Sequence, residues 1–241
     1  DTGIVGAIAT VESSLPDSNP QDNVVKVVTR VGKQEMPSAH QLILGMTHLI
    51  ASPTGDRLYA SVAKSAGELV DGVAVVNPET GTVEEILPIG PESKHLAISS
   101  DGSYLYALLG TNQLVRWNFK ANTNDLCICF TNETVLDFVP VPATPHSLVV
   151  ATSARIAVFD DDQMRPIDYQ SPIDLRYLGY AGGHLWVAEP GKLKSFALSF
   201  SGLSLISTRT FALFGNYCGP FASDGTNLFF YGAIFNTATE F

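Results

Sequence analysis

A strand-turn-strand unit recurs along this chain at nearly even spacing, and few folds can accommodate such a recurrence. Its plainest copy is HLAISSDGSYLYALL, residues 95–109, in which Ser100-Asp101-Gly102-Ser103 supplies an Asx side chain and a glycine for a tight turn. Related segments stand at 49–62 (LIASPTGDRLYASV), 137–152 (DFVPVPATPHSLVVAT), 174–189 (DLRYLGYAGGHLWVAE) and 218–233 (CGPFASDGTNLFFYGA). From Gly55 to Gly225 the pattern takes four steps over 170 residues, a mean of 42.5. That falls in the roughly 40–45 residue period of propeller blades, whereas solenoid repeats are mostly shorter or helical.

After each unit comes a second hairpin, at 72–87, 113–130, 155–169 and 192–208. In the first of these, Asn77-Pro78-Glu79-Thr80-Gly81 presets φ with a proline and permits a positive φ with a glycine. The runs Val73 to Val76 and Tyr104 to Leu109 are apolar on both faces, while Thr82 to Leu87 mixes Glu84 and Glu85 with Val83, Ile86 and Leu87. Strands apolar on both faces are sandwiched and the mixed strand is wetted. Each repeat is thus a four-stranded antiparallel meander that needs a neighbour on either side. The only short helical candidate is Ser38 to Met46, flanked by Pro37 and Gly45. The class is all-β.

The chain ends complement each other. Residues 218–235 supply two strands of a blade, and residues 3–32 offer two strand runs, Ile4 to Val11 and Val24 to Val31, around a proline-bearing loop at 13–22. The expectation is a single β-propeller domain over residues 1–241, with five blades, the last shared between N- and C-terminal strands so that no open edge remains. The alternative is a fragment of a larger, seven-bladed propeller.

The segment VAVVNPETGTVEEILPIG followed by HLAISSDGSYLYAL resembles the YVTN-type β-propeller repeat of bacterial and archaeal surface proteins. There a "V-V-x-x-x-T-G-x-V" hairpin precedes a "P-H-x-x-A-x-S-x-D-G-x-x-L-Y-V" hairpin. The likeness covers residues 47–120 and continues in outline, with Ala143-Thr144-Pro145 and Ala181-Gly182-Gly183 replacing the Asp-Gly turn. It implies an extracytoplasmic setting and a binding or scaffolding role.

Charge narrows the partners. With 14 Lys plus Arg against 24 Asp plus Glu the net charge is -10 and no basic run exists, which disfavours nucleic acid and anionic bilayers. No 18-residue apolar window supports membrane insertion. Three cysteines, Cys127, Cys129 and Cys218, leave at least one thiol unpaired. Cys127 and Cys129 sit two apart in an extended run, with Cα atoms about 6.5–7 Å apart, at or beyond the disulfide limit.

Seven positions before each turn glycine or its equivalent stand His48, His95, Asp137, Asp174 and Cys218. At that phase all five would ring the mouth of a propeller's central channel. Two imidazoles, two carboxylates and a thiol there can contact a ligand, hold a divalent ion or act as acid and base. The bland alternative is that a polar residue recurs because it bonds the backbone of the neighbouring blade. Neither a catalytic motif nor a metal or cofactor site is assigned. His146 and His184 read as solvated turn residues, Asp160-Asp161-Asp162 as a turn, and Trp117 and Trp186 as interblade packing.

The expected function is an extracytoplasmic (secreted, periplasmic or cell-surface) interaction module, monomeric as a domain. It would take an unknown protein or a small polar or cationic ligand at the channel mouth, with each carboxylate raising a histidine pKa. The alternatives are a propeller hydrolase, lactonase or lyase using the His and Asp ring, and a glycan-binding propeller.

Overall fold

The computed structural model describes residues 3–10, 24–31, 46–62, 72–91, 93–170, 177–210, 222–223, 226–230 and 233–237. The chain divides into two compact units, Asp1–Gln41 and Leu42–Phe241. The first holds a hairpin of β1 (Gly3–Thr10) and β2 (Val24–Val31), with Gly3 opposite Val31 and Thr10 opposite Val24. Both strands fall where the sequence places them. The loop at 13–22 and positions 38–45 of the short helical candidate lie outside the described residues, and Met46 opens a strand instead; β1 and β2 form a two-stranded sheet, so the expected pairing of Val24–Val31 with the C-terminal strands is not among the described sheets.

The second unit is a succession of meanders. The first sheet runs β3 (Met46–Ala51), β4 (Leu58–Val62), β5 (Gly72–Asn77) and β6 (Thr82–Leu87). The second runs β7 (Ser93–Ile98), β8 (Tyr104–Leu109), β9 (Gln113–Asn118) and β10 (Thr123–Cys129). The third has β11 (Val135–Pro140), β12 (Ser147–Thr152) and β13 (Arg155–Asp160), then an outer strand broken into β14 (Gln163–Met164) and β15 (Tyr169–Gln170), both paired with β13. Pro166 lies in the break, where a residue without an N–H cannot continue a ladder.

The fourth sheet is β16 (Tyr177–Ala181), β17 (His184–Glu189), β18 (Lys192–Ser199) and β19 (Gly202–Thr210). The fifth is β20 (Ala222–Ser223), β21 (Asn227–Phe230) and β22 (Ala233–Asn236). It holds one strand more than the two read from residues 218–235. The sequence conceals it because Phe230 and Ala233 pair across a two-residue connection, so 227–236 reads as one run.

The first strand of each sheet is its innermost, and β3, β7, β11, β16 and β20 lie side by side in that order. Cores form between successive sheets because the inner strands are apolar on both faces. Leu105 and Ala107 join Tyr59, Val73 and Val75 of the first sheet, whereas Tyr106 and Leu108 on the opposite face join Phe138, Leu148 and Phe159 of the third. Val149, Ile156 and Val158 meet Leu185, Val187 and Phe196, and Trp186 and Leu193 meet Leu228. Trp117 and Trp186 are buried, as interblade packing requires. Each fully buried side chain of this size is worth about 1.5–3 kcal/mol in apolar burial.

A polar clasp joins the second and third sheets. Arg116 on β9 is buried, donates from Nε to Asp125 Oδ1 at 2.7 Å and from Nη1 to Asp161 in the β13–β14 turn, and stacks 4.6 Å from the Tyr104 ring centre. His146 belongs to this clasp: Nδ1 is 3.2 Å from Arg116 Nη1 and Nε2 is 3.2 Å from the Tyr104 hydroxyl. It is half exposed, yet it is more than the solvated turn residue the sequence suggested.

Candidate functional site

One irregularity recurs at the start of the innermost strands. In β3 the register with β4 slips between Met46 and His48, in β7 it slips against β8 between Ser93 and His95, and in β11 against β12 between Val135 and Asp137. Each slip inserts one extra residue, Thr47, Lys94 or Leu136, ahead of the residue singled out from sequence. Such bulges re-aim the side chain that follows them. His48 then pairs with Ser61, His95 with Leu108 and Asp137 with Ala151, each partner standing one residue before the end of its strand.

The fourth sheet puts Tyr177 in this place, because Tyr177 pairs with Ala188, again one residue before the strand end. Asp174 and Cys218 lie outside the described residues. Counting back from the turn glycine misses Tyr177 because Gly182 and Gly183, with φ of 57° and 78°, make a two-residue turn while the other hairpins use longer ones. Counting from the end of the second strand finds it.

The structure brings together three of the five expected residues. The rings of His48 and His95 have centres 4.4 Å apart, and His95 Nδ1 stands 3.2 Å from Asp137 Oδ1. The His95 ring also packs 4.7 Å from that of Phe138. These groups line a cavity of about 640 Å³ together with Lys94, Tyr177 and an apolar wall that includes Ile50, Ala97, Ile98 and Val139. Lys94 escaped the sequence reading because it is the bulge residue, off the phase at which the ring was counted.

Two of the three side chains also bond the backbone of a neighbouring sheet. His48 Nδ1 accepts the Leu96 amide of the next sheet at 3.2 Å, and Asp137 Oδ2 accepts the Leu178 amide of the sheet after its own at 2.6 Å. Oδ1 of Asp137 additionally accepts the Phe138 amide at 2.8 Å. The alternative weighed from sequence, a recurring polar residue that bonds the neighbouring backbone, is therefore physically present in the same residues that face the cavity.

Burial governs the protonation states. It pushes the Asp137 carboxyl up to about 7, against the pull of the Leu178 and Phe138 amides. Burial, helped by the neighbouring His48 ring, pushes His95 down to about 4, and it also lowers His48. For Asp137 the expectation that a neighbouring carboxylate raises a histidine pKa does not hold, because burial sets the direction of both shifts; for Asp174 it lies outside the described residues. The 3.2 Å approach of His95 and Asp137 is a hydrogen bond between groups driven toward their neutral forms rather than an ion pair.

The tautomers follow. Since His48 Nδ1 accepts an amide proton, its own proton sits on Nε2, so His48 is a fixed donor there and keeps no free lone pair for a metal. His95 is switchable. With Asp137 protonated, Nδ1 accepts from the carboxyl and Nε2 carries the proton; with Asp137 ionised, Nδ1 donates to it and Nε2 becomes an acceptor. Among the described residues no group of three or more His, Cys, Asp and Glu side chains is placed to hold a metal ion, and no helix is long and apolar enough to cross a membrane.

No known family profile matches the chain, and no curated protein matches it. Among solved structures it is similar to the β-propeller domain of Myceliophteria thermophila Cps50 (Swd1), at 15% identity and a TM-score of 0.61, over 79% of this chain and 64% of that one. It is also similar to Kuenenia stuttgartiensis hydrazine synthase, at 15% identity and a TM-score of 0.57, over 82% of this chain and 58% of that one. The chain thus spans less than two thirds of either neighbour. At such identity the likeness speaks for architecture alone, and with the stacked four-stranded meanders it makes this chain a β-propeller.

Proposed function

We propose that the chain is an extracytoplasmic interaction module whose ligand or partner docks on the innermost strands, over His48 and His95, through a hydrogen-bond-accepting group such as a carboxylate or carbonyl. The observation that carries this is the orientation of Asp137. Its carboxyl side chain is only 8% exposed and is spent on two backbone amides and His95. The cavity is therefore offered imidazole N–H and the Lys94 side chain rather than a free carboxylate. A cationic ligand finds no counter-charge in that set, and the apolar wall favours an amphiphilic body behind the polar head. Propeller neighbours support the interaction role, and the resemblance of residues 47–120 to surface-protein repeats supports the extracytoplasmic setting.

The experiment is a fragment panel of carboxylates, amides and ammonium compounds, screened against the wild type and a His48→Ala, His95→Ala double variant, with ester, lactone and uronide turnover measured alongside. Carboxylate or amide binding that is lost in the folded double variant supports the reading. Binding that survives in the variant moves the ligand elsewhere.

A second reading, a hydrolase or lyase, has one observation in its favour. With Asp137 ionised and accepting from His95 Nδ1–H, His95 Nε2 is left to take a proton, with the fixed His48 Nε2–H donor beside it. Turnover abolished by the double variant would select it.

A further inference from the structure

Cys127 and Cys129 lie on β10, the outermost strand of the second sheet, and both are exposed. Ile128 between them is buried in the core shared with the third sheet, so the two thiols share the opposite face. Their Sγ atoms stand 3.9 Å apart, and the side-chain amide of Gln113 on β9 donates to Cys127 Sγ at 3.0 Å.

Two reactions are open to such a pair. A disulfide needs the sulfurs to close to about 2.05 Å, with the Cα atoms of an extended i, i+2 pair already at the limit of about 6.8 Å, so β10 would have to buckle. A metal ion needs no movement: with metal–sulfur bonds of about 2.3 Å, sulfurs this far apart subtend about 116° at the ion, close to tetrahedral.

We propose that Cys127 and Cys129 form an exposed bidentate thiolate site for a soft divalent d¹⁰ cation, zinc or cadmium, whose other two positions are filled by water. As each metal–sulfur bond forms, the thiol proton passes to solvent, so binding releases two protons and moves no electron. The site is independent of the cavity over His48 and His95. Among the described residues no further side chain of metal-binding type joins the pair, which makes it an open, two-point chelate.

The test is a cadmium titration of the reduced full chain, followed by the ultraviolet sulfur-to-cadmium charge-transfer band, and by calorimetry in two buffers to count protons. Single variants Cys127→Ser, Cys129→Ser and Cys218→Ser assign the sulfurs, and circular dichroism checks that each is folded. One equivalent of cadmium, about two protons released, retention in Cys218→Ser and at least a roughly tenfold loss of affinity in either of the other variants are expected. Absence of the band, binding that follows Cys218, binding unchanged in Cys127→Ser or Cys129→Ser, or an air-exposed protein in which these two thiols have already joined would each overturn it.

Discussion

His95 Nδ1 and Asp137 Oδ1 face each other at 3.2 Å across two adjacent innermost strands, and burial holds both groups toward neutrality. Folding therefore moves a proton. Between about pH 4 and 6.5 the unfolded chain carries an ionised aspartate and a protonated histidine, while the folded chain carries a protonated aspartate and a neutral histidine. Each state of the pair holds one proton.

The sign of each half is opposite. Asp137, raised, contributes stability present below 3.8 and lost as pH rises toward about 7. His95, lowered, contributes stability present above 6.5 and lost as pH falls toward about 4. The two slopes cancel in the wild type across their shared window. Asp137→Asn removes one of them, so its stability relative to wild type should rise with pH across that window, by up to about 1.4 kcal/mol per pH unit. Urea melts of both proteins at half-unit pH steps check this, and parallel curves would contradict the buried pair.

The Arg116 clasp should contribute stability out of proportion to a surface ion pair. Arg116 is buried, and its carboxylate partners Asp125 and Asp161 have side chains 25% and 50% exposed. Removing the arginine leaves partners that water can reach, which limits the loss. Arg116→Met should cost about 2 kcal/mol by chemical denaturation and leave the cavity over His48 unchanged. A loss within a few tenths of a kcal/mol would mean that the clasp is decoration.

The hairpin of the third sheet carries a penalty that a single substitution relieves. Ala143 has φ of 60° in an exposed turn, whereas Gly55 and Gly102 occupy the corresponding turns of the first two sheets at 74° and 73°. A side chain in the left-handed region costs about 1–2 kcal/mol, offset in part by glycine's extra freedom in the unfolded chain. Ala143→Gly should raise stability by about 0.5–1 kcal/mol, read as a higher denaturation midpoint at unchanged slope. A lower midpoint would show that the turn is held by the alanine side chain itself.

The repeat period, the apolar inner strands and the Asp-Gly turns made the propeller legible, because propeller strands obey a period of two and their turns demand particular residues. His48, His95 and Asp137 were legible for the same reason, since a repeat puts equivalent positions at equivalent places. Tyr177 was not, because hairpin length varies between blades and the two-glycine turn shortens one count. The bulges before the ring residues left no mark either: Thr47, Lys94 and Leu136 share no property that distinguishes them in sequence. The reversal of the histidine shifts was hidden because sequence shows charge but not burial, and here burial decides. The pairing of His146 with Arg116 joins residues 30 apart in different sheets, which no local pattern records.

The most direct test of the site is a nitrogen-15 spectrum of the imidazole rings of the full chain, recorded alone and with small carboxylate and ammonium fragments. His48 should appear as the neutral tautomer protonated on Nε2, and the ring nitrogens of both His48 and His95 should shift when a carboxylate is added but not when an ammonium compound is. Rings that are unmoved by every fragment, or that respond to the cation and not to the carboxylate, would contradict a donor-lined ligand site on the innermost strands.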